Sequence, residues 1–379
     1  MSRRKICYIT GTRADFGLMQ STLHRIQQSP VLELSLVVTG MHLQPEYGLT
    51  VTQIEEAGLP IAGRIAVETG SPTGALMARN IGHMLIGFVE VLEATRPDLV
   101  LVLGDRGEML AGAIAAIHLN IPIVHIHGGE RSGTVDEPVR HAISKLAHVH
   151  FVATDESKAR LIRMGEFADH VHLVGAPGLD RLNDLVVADR KTLCDRLSFD
   201  PTGKIALMVY HPVLHEADRS ADYASRIVDA LRANDVQVLA LKPNSDAGSA
   251  GVRAGLEARA EAGHIHLITH LARPEFVSWM AACDVLVGNS SSGIIEAATF
   301  GTPVVNVGSR QNLRQRNANV IDCSVDRAAL DEALARALAL SRFTPYNNVY
   351  GDGRAGERIA ALLATIDIAG SMIEKANAY

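Results

Sequence analysis

Short aliphatic runs alternate with longer stretches of mixed polarity along this chain. Residues 5–10 (KICYIT) predict a strand, the turn Gly11-Thr12-Arg13 ends it, and residues 16–28 predict a helix. Residues 32–40, 98–105, 121–129 and 148–154 read as four more strands. The run DLVLVLGD at 98–105 is aliphatic at consecutive positions, the pattern of a strand buried on both faces. Strands alternating with helical stretches predict a parallel sheet flanked by helices. The pattern restarts after Asp200-Pro201, with strands expected at 204–212, 236–244, 264–269, 282–290 and 302–310. The expected fold class is α/β, with two Rossmann-like parallel-sheet domains facing a cleft. Their expected bounds are 1–170 and 171–353. The remainder, 354–379, carries a last helix near 354–367 that caps one domain or packs back on the N-terminal one.

The polar residues concentrate at the strand ends. In an open parallel sheet, ligands sit beyond the carboxyl ends of the strands. Here those ends read Thr10-Gly11-Thr12-Arg13, Thr39-Gly40-Met41-His42, Gly104-Asp105-Arg106, His127-Gly128-Gly129-Glu130, Tyr210-His211-Pro212, Pro243-Asn244, Gly288-Asn289-Ser290-Ser291 and Gly308-Ser309-Arg310. Glycine lets the backbone approach a ligand, and the polar neighbours can contact it. Eight such ends aimed at one cleft predict a ligand site between the domains.

Two chemistries separate along the chain. Residues 288–303 (GNSSSGIIEAATFGTP) follow a strand and open a helix. Ser290, Ser291 and the first-turn N–H groups suit a diphosphate, because a helix N-terminus favours anions. Glu296, one to two turns in, suits a pair of ribose hydroxyls. The plain alternative is a serine-rich cap with a solvated glutamate. Arg13 and Arg310 offer planar donor forks for phosphate oxygens. His42 and Arg106 stand at two further strand ends, and Asn244 either contacts the nucleotide or caps a turn. The acid–base candidates are Asp105, Asp136, His127, Glu130 and His211. All but His211 lie in the first domain. A carboxylate desolvated in a cleft, or a histidine, can titrate near neutral pH and move a proton. Asp105 either sits at the cleft floor or caps the following helix. His211, held extended by Pro212, is either a cleft group or a packed histidine.

Composition narrows the classes. A chain of 379 residues fits two domains, and 47% hydrophobic with 21% charged residues is ordinary for a globular protein. A formal charge of −6 lacks the basic excess that marks nucleic-acid binding, so no nucleic-acid partner is expected. The first apolar run is too short for a signal or a membrane span, so a cytoplasmic protein with no membrane partner is expected. Cys7, Cys194, Cys283 and Cys323 form no CxxC pair and read as reduced, with Cys7 and Cys283 in the core. Histidines alternate at 125 and 127, 148 and 150, and 264 and 266, but no HExxH or Cys/His cluster fixes a full ligand set. No metal is expected. The first turn lacks GxGxxG and the chain lacks a P-loop, so no cofactor is expected either.

Taken together, GTRADFG (11–17), TGMH (39–42), GDR (104–106), HIHGGERSGTVDEPVRHAISKLAH (125–148), HP (211–212), PNSDAGS (243–249), GNSSSGIIEA (288–297), GTPVVNVGSRQ (301–311) and GDGRAGERI (351–359) resemble the hydrolysing UDP-N-acetylglucosamine 2-epimerases of bacterial sialic-acid synthesis. The resemblance spans residues 5 to 365. It implies a GT-B-like fold with a UDP-sugar substrate in the interdomain cleft and a homo-oligomer, dimer or tetramer. It implies loss of the C2 proton with departure of UDP, then hydration of the 2-acetamidoglucal to N-acetylmannosamine. By position, Asp105 and Asp136 resemble the family's catalytic carboxylates and His211 its cleft histidine. Arg13, Arg106, Asn244, Ser290, Ser291, Glu296 and Arg310 resemble its nucleotide contacts. His127 stands where several relatives carry an acid–base glutamate, so that role passes to His127 or to Glu130. The same resemblance admits UDP-N,N′-diacetylbacillosamine as the substrate, on the way to legionaminic acid. A glycosyltransferase of the same architecture is a further alternative.

Overall fold

The computed structural model describes residues 3–379 apart from 72, 133–134, 341, 343–347 and 369–373. Its first sheet contains β1 (Arg4–Thr10), β2 (Leu32–Thr39), β3 (Ile61–Ile65), β4 (Leu99–Leu103), β5 (Ile123–Ile126), β6 (Val149–Val152) and β7 (Val171–Leu173). The second contains β8 (Lys204–Val209), β9 (Val236–Leu241), β10 (His266–Ile268), β11 (Val285–Gly288), β12 (Val304–Val307) and β13 (Val320–Cys323). The orders are 3-2-1-4-5-6-7 and 10-9-8-11-12-13, and every pairing is parallel. This is the two-sheet α/β fold expected.

Continuous aliphatic strands follow from burial on both faces. Alternate side chains of a strand point to opposite sides. Ile6, Tyr8, Leu101 and Leu103 enter one core with the helix Arg13–Gln28, while Cys7, Ile9, Val100 and Val102 enter another with Met84, Phe88 and Leu92. The second sheet divides likewise: Ala206 and Met208 face one core, and Ile205, Leu207 and Val209 the other. The helix at Arg13–Gln28 starts three residues before the expected position, because Thr12 and Asp15 form a reciprocal capping box. The helix Gly74–Thr95 is long and apolar enough to cross a membrane by length and composition. Its Met84, Phe88 and Leu92 pack onto the first sheet, and Arg79, His83, Glu90 and Glu93 face outward.

Three strands lie outside the expected set: β3, β7 and β13. All are at sheet edges, where one neighbour suffices and a short, partly polar stretch such as VHL serves. The first sheet therefore continues through Val171–Leu173, beyond the boundary expected at residue 170. The last helix, Ala355–Thr365, puts Ala355, Ile359 and Leu363 into the core that also holds Ile6, Leu23 and Ile26. Asp180 fixes its start by accepting from the backbone N–H of Ala355 at 2.8 Å and of Gly356 at 2.6 Å. Replacing Asp180 by alanine leaves both donors without that cap. It is expected to lower the urea unfolding free energy by about 1–2 kcal/mol and to speed amide exchange selectively in the last helix.

Candidate functional site

Each sheet reverses its strand order once, between β1 and β4 and between β8 and β11. Loops from adjacent strands leave in opposite directions at such a point and open a crevice. Both crevices empty into one cavity of about 610 Å³ between the sheets. Its wall includes Arg13, Asp105, Arg106, His127, Asp136, His211, Asn244, Ser290, Ser291, Glu296 and Arg310. Most of the residues singled out from the sequence thus share one space.

Two expected residues stand outside that wall. His42 is fully buried, and its ring nitrogens lie 2.9 Å from the Thr10 hydroxyl and 2.8 Å from that of Thr50. It ties the end of β1 to Thr50 at the start of the helix Val51–Glu56, and burial lowers its pKa to about 4. Glu130 is 3% exposed and lies behind His127, with its carboxylate against His127 Nδ1 and the Arg314 guanidinium.

The second sheet holds its part of the site by close backbone approach. A Cβ at Gly288, where φ is +137°, would stand 2.0 Å from the Val209 carbonyl oxygen, so only glycine fits. Asn289 then accepts from His211 N–H at 2.7 Å and donates to His211 C=O at 2.8 Å. The His211 Nδ1 accepts from Asn244 N–H at 3.3 Å, which leaves the proton on Nε2. Burial, then the Arg310 charge, depresses His211 to about 3. Ser290 caps a helix that runs only from Ser291 to Ile295, shorter than its sequence suggested. A helix this short gathers few aligned peptide dipoles, so positive charge in the cavity comes mainly from side chains.

Those side chains are arginines. Arg13, Arg106, Arg140, Arg273, Arg310 and Arg314 all line the cavity, although the chain is acidic in sum. Several pair across the cleft. Arg310 reaches Asp136 at 3.4 Å, Arg106 reaches Asp246 at 3.4 Å, and Arg314 contacts Glu130 and lies 4.0 Å from Asp105. Burial works against the Arg106 charge, but Glu108 and Asp246 hold its pKa above the ordinary value. Asp246 is likewise opposed by burial, yet Arg106 and Arg310 keep it below the usual carboxylate range. Glu296 is occupied by Arg273 and Asn244 by Asp246.

Around the first sheet, Arg140 is 1% exposed and clamps the Asp105 carboxylate. Asp136 and Arg140 are four apart on the helix Asp136–Leu146 and so share a face. His125 Nε2 donates to the Gly104 carbonyl at 2.7 Å and steadies the turn carrying Asp105. His127 adopts φ +62°, the left-handed region that side chains enter only under constraint. With Glu130 as acceptor, its Nδ1 carries the proton and its Nε2 holds the free lone pair. Burial, then Arg314, lowers the His127 pKa to about 3.

Sequence reasoning passed over Arg140, Arg314, Arg273, Asp246 and Asn289. Some signal existed: Arg140 follows Asp136 at helical spacing, and Arg314 follows Arg310 four residues on. A buried arginine deprived of its carboxylate loses about 3–5 kcal/mol. Glu130→Ala is therefore expected to destabilise the fold by about that much, with part recovered in Glu130→Ala/Arg314→Met, both read by urea unfolding.

The comparisons with known proteins agree with this geometry. Residues 24–364 match the family model described as UDP-N-acetylglucosamine 2-epimerase. The chain is 52% identical over 376 residues, 99% of its length and 100% of the relative's, to the UDP-N,N′-diacetylbacillosamine 2-epimerase (hydrolyzing) of Legionella pneumophila. It is 32% identical to the UDP-N-acetylglucosamine 2-epimerase of Neisseria meningitidis over 90% of this chain and 89% of that one. In fold it matches the crystal structure of UDP-GlcNAc 2-epimerase from Neisseria meningitidis bound to UDP-GlcNAc, with TM-score 0.80 and 19% identity over 95% of this chain and 99% of that one. The enzyme from Methanocaldococcus jannaschii in complex with UDP-GlcNAc and UDP gives TM-score 0.79 at 20% identity, over 95% and 99% of the two chains. An arginine-lined cleft between two parallel sheets and a family match over most of the sequence lead to one assignment: the chain belongs to the UDP-N-acetylglucosamine 2-epimerase family.

Proposed function

We propose that the protein is a hydrolysing 2-epimerase whose substrate is UDP-N,N′-diacetylbacillosamine and whose products are UDP and the free 2-epimeric sugar. The observation that carries the choice of sugar is the 52% identity, over the full length of both chains, to the Legionella pneumophila enzyme of that description. UDP-N-acetylglucosamine, to which the sequence motifs gave first place, becomes the comparison substrate.

The cavity suits the chemistry. Arg13 and Arg310, with Ser290 and Ser291, receive the diphosphate, and Arg106 and Asn244 stand beside them. Glu296 keeps Arg273 on one carboxylate oxygen and offers the other to the ribose. In the first step a base takes the C2 proton, the C1–O bond breaks, and its electron pair leaves on the diphosphate as the C1=C2 bond forms. Fixed guanidinium donors stabilise that developing charge, the kind of preorganisation that lowers barriers most. In the second step water supplies hydroxide to C1 and a proton enters C2 from the opposite face.

Inversion needs proton-transfer groups on two sides of the ring. Asp105, oriented by Arg140, and Asp136 supply one set. The His127–Glu130 dyad supplies the other: His127 Nε2 takes the proton while Glu130 holds Nδ1–H and stabilises the imidazolium that forms. His211, neutral and fixed by Asn289, donates from Nε2.

Turnover of UDP-N,N′-diacetylbacillosamine in deuterated water is expected to place solvent deuterium at C2 of the released sugar. Release of unlabelled product, or no release of UDP from either UDP-sugar, overturns the proposal. Since His127 and His211 are held near 3, both are neutral from about pH 5 to 8. A plot of log kcat/KM against pH is therefore expected to show no acid limb at the ordinary histidine value of 6.5. A limb at that value that disappears in His127→Gln would mean the imidazole is solvated and charged rather than held neutral by burial.

A further inference from the structure

A second cavity of about 270 Å³ opens beside the first and shares Met41, Tyr47, Asp105, Arg106 and Asp136 with it. The phosphate-end residues Arg13, Ser290 and Arg310 line only the first cavity. Much of the far wall of the second is apolar, built from Leu76, Met77, Ile81, Val135, Val139 and Leu214. Ile81 packs against Gly107, where an added Cβ would stand 2.8 Å from its side chain, so this wall lies directly behind Arg106. Leu214 reaches it from the second sheet's side, with Cδ1 3.8 Å from the Cβ position of Gly74. Val135 and Leu214 remain 42% and 43% exposed among the described residues.

The position of this chamber follows from the shape of a nucleotide sugar. C1 carries the diphosphate and must face the arginine–serine end. C4 lies directly across the pyranose ring from C1 and C5 adjoins it, so their substituents point away from the diphosphate, toward the part of the cleft that the second cavity extends and the phosphate-end residues do not line. A C6 hydroxyl would lose water against leucine, isoleucine and methionine, at a cost in free energy. A C6 methyl and an acetyl methyl gain from the same burial. The polar atoms of an acetamido group still need partners. Gln44 and Ser245 line this chamber, and their side chains bond to no other described residue.

We propose that the second cavity is the subsite for the C4 acetamido group and the C6 methyl of a 2,4-diacetamido-2,4,6-trideoxy sugar. Met77, Ile81 and Leu214 meet the methyl groups, and Gln44 and Ser245 the amide. The inference rests on the proposed function and deepens it, because it locates the selectivity between the two UDP-sugars in side chains remote from the reacting carbons. Those side chains select through ground-state and transition-state binding alike.

The test compares kcat/KM for UDP-N,N′-diacetylbacillosamine and for UDP-N-acetylglucosamine in the full-length wild type, Met77→Asn and Leu214→Asn. Wild type is expected to favour the diacetamido substrate. Each variant is expected to lower the ratio of the two kcat/KM values about tenfold or more, the scale of a lost apolar contact in a specificity pocket. UDP affinity by calorimetry, expected unchanged, reports that the nucleotide site is intact. Leu214 is exposed, so Leu214→Asn decides the matter even where Met77→Asn fails to fold. A wild type that turns over the diacetamido sugar, with both folded variants keeping its ratio, overturns the subsite and leaves the proposed function standing. A wild type that favours UDP-N-acetylglucosamine, or releases UDP from neither, overturns both.

Discussion

Opposite charges meeting across the cleft are the constraint on which this molecule depends. Glu130, Asp136 and Arg106 project from the first sheet, and Arg314, Arg310 and Asp246 from the second, and they pair in that order. Removing such groups from water is expensive, and a buried pair returns little net stability. Apolar residues of similar size would join the two sheets at lower cost. The charges are retained where a ligand with two phosphates is expected, and an arginine that gives up a carboxylate for a phosphate oxygen keeps its charge compensated throughout. The same pairs therefore hold the halves in register and keep the anion site charged before substrate arrives.

This arrangement also separates two electrostatic tasks that would otherwise interfere. Proton transfer requires uncharged histidine, and leaving-group stabilisation requires fixed positive charge nearby. Burial serves the first requirement, holding His127 and His211 neutral, and the neighbouring charges of Arg314 and Arg310 act in the same direction. Glu130 lies on the far side of His127 from the cavity, which directs the free imidazole nitrogen inward. A neutral histidine at this position adds no negative charge to the cavity.

Backbone geometry supplies the precision. Gly288 lets β11 end against β8, Asn289 ties that end to His211, and His125 ties the Asp105 turn to β5. None of these residues needs to touch a ligand to matter. They fix the origin from which functional side chains extend, as second-layer hydrogen bonds do in other preorganised sites. The last helix contributes at longer range: by returning to the first sheet's core it makes the chain cross between the halves a second time.

The alternation of aliphatic runs and polar strand ends was sufficient to read two parallel sheets and a cleft. Burial on both faces forces consecutive apolar residues, and a ligand site at strand ends forces glycine and polar residues there. Arg13, Asp105, His211 and Arg310 were legible for that reason. The edge strands β3, β7 and β13 were not, because a strand with one neighbour needs neither length nor continuous hydrophobicity. Pairings between residues distant in sequence, such as Glu130 with Arg314 or Asp105 with Arg140, were also invisible. A single charged residue looks the same in sequence whether it is solvated or buried, and only the folded chain chooses its partner. His42 illustrates the converse, since a polar strand end carries no mark of whether its side chain turns toward the ligand or into the core. Local periodicity encodes the scaffold; the identity of the buried charge partners is decided by tertiary packing.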